Sequence, residues 1–172
     1  ETSPLPPPPP ATIVIIIGMR FSGKTSLGSA AARALPTSGN CRFIDVDQEI
    51  ITRNGGVTPS AIVAGKGWQA FREMECETMK AILKEEEEEQ ANTTNTNTTT
   101  TTTIIACGGG FVDHHESMDL LQPQRLSTAS SAHHCMIVWA DKPLAMIEAC
   151  HTADNAARPS YAASVAEVFD RR

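Results

Sequence analysis

The stretch Thr12-Ile13-Val14-Ile15-Ile16-Ile17, followed at once by Gly18-Met19-Arg20-Phe21-Ser22-Gly23-Lys24-Thr25, decides the fold of this chain. Residues 12–17 are β-branched throughout, which predicts a central parallel strand buried on both faces. Residues 18–25 fit the pattern G-x-x-x-x-G-K-[ST], and the residues after them predict a helix. A strand, such a loop and a helix in this order indicate a P-loop that binds nucleotide phosphates.

Each part of this loop has a chemical role. Backbone N–H groups of the turn and of the helix N-terminus converge on phosphate oxygens, Lys24 places a charge at the β- and γ-phosphates, and Thr25 offers a hydroxyl to Mg²⁺. A chance glycine turn is the alternative, and the flanking strand and helix argue against it. Phe21 replaces the glycine of many such loops, so its side chain could crowd the loop. The residues predicted to bind the nucleotide are Gly18, Ser22, Gly23, Lys24, Thr25 and Ser26.

Strand and helix patterns alternate along the rest of the chain. We expect further strands at 42–45, 103–107 and 135–140, and helices at 58–83 (one or two), 143–150 and from 161 onward. This alternation predicts an α/β fold in which helices cover both faces of a central parallel sheet.

Length and composition limit the class of protein. A chain of 172 residues, 41% apolar, can build one α/β domain. The net charge is −6, but Glu85–Glu89 carry five of the negative charges, and Lys and Arg are scattered, so direct nucleic-acid binding is not expected. Five cysteines in apolar surroundings indicate reduced thiols and a cytosolic setting. The apolar run at 13–17 is too short to span a membrane.

Two segments of biased composition flank or interrupt the predicted domain. Residues 1–10 are rich in proline and predict a stiff linker or tail. Residues 85–103, with a glutamate run and an Asn/Thr tract, predict a disordered insertion within the domain of residues 11–172. The chain starts at Glu1 and stops at Arg172 inside a predicted helix, so we expect a piece of a longer polypeptide, cut at its C-terminal side, with further domains linked to it.

Two aspartates end the second predicted strand. A spacing of two residues places the carboxylates of Asp45 and Asp47 on one face of an extended segment. Beside a P-loop, one acid would bind Mg²⁺ through water and the other would accept a hydrogen bond or proton from a substrate hydroxyl. The alternative is that Asp47 caps a helix starting at Gln48.

Glu75 and Arg72 lie on a predicted amphipathic helix. Its apolar stripe would place Glu75 on or beside the inward face, and Arg72 is within pairing reach, where it could clamp an anionic substrate. A surface ion pair is the alternative. The residues of the stripe are Trp68, Phe71, Met79 and Ile82.

Further along, Gly108-Gly109-Gly110 would let a backbone approach a ligand closely, or would simply form a tight turn.

Five motifs occur in a fixed order along residues 11–172. They are I-G-M-R-x-x-G-K-T (17–25), F-I-D-V-D (43–47), F-R-x-x-E (71–75), C-G-G-G (107–110) and A-R-P-S-Y (157–161). Together they resemble the shikimate kinase family, and most of all the kinase domain of the fungal pentafunctional AROM polypeptide.

This resemblance implies ATP- and Mg²⁺-dependent phosphorylation of the 3-hydroxyl of shikimate in aromatic amino-acid biosynthesis. It also implies a P-loop α/β/α fold like that of nucleoside monophosphate kinases, with a mobile lid. By matching position, Lys24, Asp47 and the lid arginine Arg158 would be catalytic, and Thr25 and Asp45 would serve the metal. The residues implied to hold the substrate are Asp47, Arg72, Gly108, Gly109, Gly110 and Arg172.

A second function remains open, because a fungal quinate-pathway repressor is similar to the same kinase domain. The proline-rich segment at 1–10 and the low-complexity insertion favour such a metabolite sensor, which would be nuclear. The charged residues at the phosphate, substrate and lid positions favour a cytoplasmic enzyme that acts on shikimate or a related hydroxy acid. These residues are Lys24, Asp45, Asp47, Arg72 and Arg158.

Overall fold

The computed structural model of the protein describes residues 11–35, 40–93, 101–122 and 133–153. Strands and helices alternate through these residues, as predicted, and a short 3₁₀ turn, Phe111–Asp113, follows the third strand. The elements are β1 (Ala11–Ile17), α1 (Lys24–Ala34), β2 (Asn40–Asp45), α2 (Val46–Arg53), α3 (Pro59–Thr93), β3 (Thr101–Ala106), α4 (His115–Leu120), β4 (His133–Trp139) and α5 (Leu144–Ala153).

The four strands form one parallel sheet in the order β2-β3-β1-β4. Ile15 of β1 lies beside Ile105 of β3 on one side and Ile137 of β4 on the other. Because all strands run the same way, the loops that follow β1, β2 and β3 leave the same edge of the sheet. Open α/β sheets bind ligands at this carboxyl edge, where the strand order reverses.

Helices cover both faces of the sheet and so produce three layers. On one face, Ile15 and Ile105 are fully buried against α2, α3 and α4. On the other face, Ile16 and Ile104 pack with residues of α1 and with Phe43. Gly28 lets α1 approach closely, since a Cβ there would overlap the Phe43 ring. The predicted α/β/α architecture with a buried parallel sheet is confirmed, whereas the predicted lid lies outside the described residues.

Helix α3 consists of two segments, as the sequence allowed. The Thr58 hydroxyl accepts a hydrogen bond from the Ala61 N–H (3.3 Å), which caps a helix that starts at Pro59. The backbone breaks at Gly67, where φ is 83° and ψ is 171°. This break turns the second segment so that Phe71, Glu75 and Met79 face the core.

The predicted disordered insertion is wrong over most of its length. Glu85 to Thr93 continue α3, and β3 begins at Thr101, while residues 94–100 lie outside the described residues. Tertiary contacts explain the difference, because Glu86 is only 2% exposed, accepts a hydrogen bond from the Thr103 hydroxyl (2.7 Å) and pairs with Arg42. A buried carboxylate that accepts a hydrogen bond and pairs with an arginine anchors the glutamate run to the sheet, which composition alone does not predict.

The polyproline segment at 1–10 also lies outside the described residues. Among the residues described, no helix has both the length and the apolar composition needed to cross a membrane.

Candidate active site

A cavity of about 610 Å³ opens beside the loops that leave the carboxyl edge of the sheet. Its wall combines the P-loop and the start of α1, the end of β2, α2, both segments of α3 and the glycines after β3. Charged and aromatic side chains contribute much of this wall: Arg20, Asp45, Asp47, Trp68, Phe71, Arg72 and Glu75.

The P-loop has the geometry that a phosphate cradle requires at its two glycines. Gly18 has a φ of 144° and Gly23 a φ of 92°, both in the range that favours glycine. Gly23 precedes α1 directly, so the N–H groups of the first helical turn point toward the loop. The Ser22 hydroxyl oxygen is buried without a hydrogen-bond partner in the described part of the chain. The Ser26 side chain, by contrast, is exposed on α1.

Lys24 lies inside the loop that it was predicted to serve. Its side chain is 7% exposed, and its ammonium donates to the carbonyl oxygens of Gly18 (2.9 Å) and Met19 (2.6 Å). The cation is thus held by carbonyl oxygens of the loop, and Lys24 itself is the first residue of α1. A phosphate at that helix N-terminus would compete with the two carbonyls for the same ammonium.

Asp45 joins the P-loop to the second strand. Its Oδ2 accepts a hydrogen bond from the Thr25 hydroxyl (2.6 Å), and its Oδ1 accepts one from the Gln48 N–H (3.2 Å), so Asp45 caps α2. The pairing of a hydroxyl with a carboxylate next to a P-loop suits the oxygen ligands that Mg²⁺ prefers. The predicted metal residues, Thr25 and Asp45, are therefore brought together.

The predicted arrangement of the two aspartates is wrong in one respect. β2 ends at Asp45 and α2 starts at Val46, so Asp47 lies in the first turn of a helix and not on an extended segment. The capping residue is also Asp45, whereas Asp47 had been the capping candidate. Both side chains still line the same cavity, because the strand-to-helix turn brings the first helical turn over the sheet edge.

Arg72 and Glu75 form a shielded ion pair in the cavity wall. The Arg72 side chain is 12% exposed and donates to Glu75 Oε2, and its guanidinium carbon lies 5.2 Å from the centroid of the Trp68 ring. The surface-pair alternative is therefore wrong. Burial raises the pKa of Glu75 to about 7, against the lowering effect of Arg72, and the negative charges of Asp47 and Asp113 add to the rise.

Each of the three consecutive glycines after β3 faces a different part of the site. A Cβ on Gly108 would overlap the Glu75 carboxylate, and one on Gly110 would overlap the Arg72 guanidinium. A Cβ on Gly109 would lie 2.9 Å from the Arg20 backbone nitrogen in the P-loop. The glycines thus allow the loop to contact the P-loop and the ion pair at once, and a simple tight turn would not need all three.

We expect Gly110→Ala to weaken the binding of an anionic ligand in this cavity by about 10- to 100-fold, because the added methyl group must displace the Arg72 guanidinium. The measurement is a titration with shikimate, the ligand implied by the sequence resemblance. Gly65→Ala is the matched control, since a Cβ there meets nothing within 4 Å. Equal affinities in the two variants would contradict this role for Gly110.

The raised pKa of Glu75 predicts a pH-dependent contribution to stability. The folded state binds this proton more tightly than the unfolded state, so the contribution is complete below about pH 4.5 and is lost as the pH rises toward about 7. Glu75→Gln keeps the neutral form at every pH. We expect its free energy of unfolding, relative to wild type, to rise by roughly 3 kcal/mol from pH 4.5 to 8.

Urea unfolding at pH 4.5 and pH 8 measures this difference. Glu77→Gln is the control, because Glu77 lies two residues further along the same helix with its side chain 69% exposed. A constant difference between Glu75→Gln and wild type at both pH values would mean that Glu75 titrates alike in the folded and unfolded states.

Two charged residues of the cavity wall were not among those predicted to act there. Arg20 lines the cavity from within the P-loop, and the only sequence signal was its place in the I-G-M-R motif. Glu75 was noticed as an inward acid, yet the sequence did not indicate its contact with Gly108. Two predicted site residues, Arg158 and Arg172, lie outside the described residues.

Comparisons with known proteins identify the fold and the family of the chain. The structure of a shikimate kinase from Acinetobacter baumannii in complex with shikimate is similar to this chain, with a TM-score of 0.56 and 19% sequence identity. The match covers 84% of this chain and 64% of that one, so the chain spans less than two thirds of the length of that kinase. The family model described as shikimate kinase matches residues 20–171, and the chain therefore belongs to the shikimate kinase family.

Proposed function

We propose that this protein transfers the γ-phosphoryl group of ATP to the 3-hydroxyl of shikimate. One observation carries the proposal: residues suited to a nucleotide and residues suited to an acidic acceptor line a single cavity. Thr25 and Asp45 represent the first set, and Asp47 and Arg72 the second. Family membership and a similar structure in complex with shikimate support the choice of acceptor.

In this reaction the acceptor must be fixed before the hydroxyl can react. Arg72 would bind the acceptor carboxylate through charge-assisted hydrogen bonds, and Glu75 holds the guanidinium in place. The N–H groups of Gly109 and Gly110 are close enough to the cavity to contribute, because these glycines line it. Such fixed donors lower the entropic cost of bringing hydroxyl and phosphoryl group together.

Asp47 is the residue we propose as proton acceptor. As the acceptor oxygen forms its bond to the γ-phosphorus and the bond to the β-phosphate oxygen breaks, the hydroxyl proton passes to the Asp47 carboxylate. Lys24 would move from the loop carbonyls to the phosphates and neutralise the charge that develops there. Mg²⁺, held by Thr25 and Asp45 directly or through water, would supply charge neutralisation on the nucleotide. Arg158 and Arg172 keep their predicted roles at the lid and at the acceptor carboxylate.

The decisive experiment is an assay of ADP release by the purified protein with ATP and Mg²⁺, in the presence and absence of shikimate. We expect ADP formation to depend on shikimate, and quinate in place of shikimate tests a related hydroxy acid. ATP and shikimate binding without turnover would overturn the kinase proposal and favour the sensor function. A cytoplasmic location and covalent linkage to further domains remain predictions beside this one.

A further inference from the structure

The P-loop contains a backbone conformation that its sequence does not favour. Met19 to Ser22 form a turn in which the Ser22 N–H donates to the Met19 carbonyl (3.2 Å). Phe21, the third residue of this turn, has a φ of 65° and is the only non-glycine with a positive φ in the part of the chain that the structure describes. Turns with this pattern favour glycine at the third position, and the side chain of a bulky residue there is sterically strained.

A lysine from the other end of the chain contacts this position. Lys142 follows β4, and its ammonium donates to the Phe21 carbonyl oxygen (3.3 Å) and to Cys150 Sγ (3.5 Å). The side chain is half-buried. A lysine contact on the carbonyl of the strained residue fixes the peptide plane between Phe21 and Ser22.

The backbone segment that carries Lys142 is itself packed against the P-loop. The Ala140 N–H donates to the Ile17 carbonyl (2.8 Å), and Gly18 packs so closely on the Ala140 carbonyl that a Cβ on Gly18 would overlap it. The Lys142 N–H donates to Asp141 Oδ1 (2.8 Å), which shapes the turn after β4. The contact between Lys142 and Phe21 therefore joins two backbone segments that are already packed together.

Two lysines thus bind carbonyl oxygens of the same loop: Lys24 binds those of Gly18 and Met19, and Lys142 that of Phe21. A nucleotide phosphate would draw Lys24 away from its carbonyls, but Lys142 reaches the loop from outside. We infer that Lys142 is a positioning residue, which stabilises the left-handed conformation of Phe21 and so keeps the P-loop in the shape that binds nucleotide phosphates.

A double-mutant cycle with Lys142→Met and Phe21→Gly tests this inference. The readout is the Kd of ADP and of ATP in equilibrium titrations, which needs no turnover, so failure of the kinase proposal would not be mistaken for failure of this one. We expect Lys142→Met to weaken nucleotide binding about 5-fold, because a hydrogen bond from a charged donor is lost. In the Phe21→Gly background the effect should fall below about 2-fold, since glycine adopts the conformation without help.

Two further variants separate positioning from a general structural effect. Lys142→Arg should restore most of the affinity, because it keeps a charged donor. Cys150→Ala removes the other partner of Lys142 and should leave the Kd unchanged. An equal loss from Lys142→Met in both Phe21 backgrounds would overturn the inference and assign Lys142 to direct phosphate contact, and so would a Kd that Lys142→Met leaves unchanged.

Discussion

Lys24→Met should lower shikimate-dependent ADP formation at least about 100-fold in kcat/KM, the loss expected when one preorganised charged donor to a transition state is removed. Two effects combine in this variant. The γ-phosphoryl group loses the cation that would neutralise its developing charge, and the loop loses the hydrogen bonds from Lys24 to Gly18 and Met19. The second effect should also weaken the binding of ATP, so both kcat and the Kd of ATP should change.

Steady-state kinetics and a nucleotide titration measure the two effects separately. Lys66→Met is the matched control, because Lys66 is exposed before the break in α3, away from the cavity wall. Its kinetics should equal those of wild type. Substantial shikimate-dependent turnover by Lys24→Met would mean that the loop binds phosphate without this lysine, and the assignment of the active site would have to be revised.

The parts of this site that the sequence predicted are those that depend on local signals. A β-branched run, two glycines and a lysine at fixed spacing predict a strand, a loop and a helix from neighbouring residues alone, and the structure has each of them at β1 and α1. The inward position of Glu75 likewise follows from helical periodicity.

The errors arose where contacts distant in sequence decide the outcome. Composition predicted disorder for the glutamate run, but Arg42 and Thr103 bind Glu86 and extend α3 by several turns. Similarly, the hydrogen bond from Thr25 to Asp45 helps to fix the end of β2, so that Asp47 lies in the first turn of a helix. Neither of these interactions can be recognised from the sequence around one of its members alone.

For a last group of residues, the sequence did not indicate which neighbours they contact in the folded protein. Lys142 follows a strand in a segment without a motif, and its contact with Phe21 joins residues 121 positions apart. The glycines after β3 were recognisable as a loop that approaches something closely, but the identity of each neighbour depends on how α3 and the P-loop pack together. Such pairings are properties of the folded sheet edge and not of any single element.

Asp47→Asn should reduce kcat by about 100- to 10,000-fold, the range typical for loss of a general base, while the KM values for shikimate and ATP change little. Asparagine has nearly the same shape as aspartate, and its amide oxygen can still accept a hydrogen bond from the acceptor hydroxyl. It cannot take the proton that this hydroxyl releases when its oxygen bonds to phosphorus. The neighbouring contacts between Thr25 and Asp45 and between Arg72 and Glu75 do not involve Asp47, so both should persist.

Asp119→Asn makes the same chemical change on helix α4, where the Asp119 side chain is 40% exposed and lies outside the cavity wall, and should have wild-type kinetics. Because the predicted loss is confined to kcat, shikimate binding to Asp47→Asn should be measurable by titration and close to that of wild type. A rise in KM with unchanged kcat would instead assign Asp47 to acceptor binding alone. In that case the proton acceptor would have to be sought elsewhere, and Glu75, the acid of the cavity wall that is not assigned to the metal, would be the first residue to test.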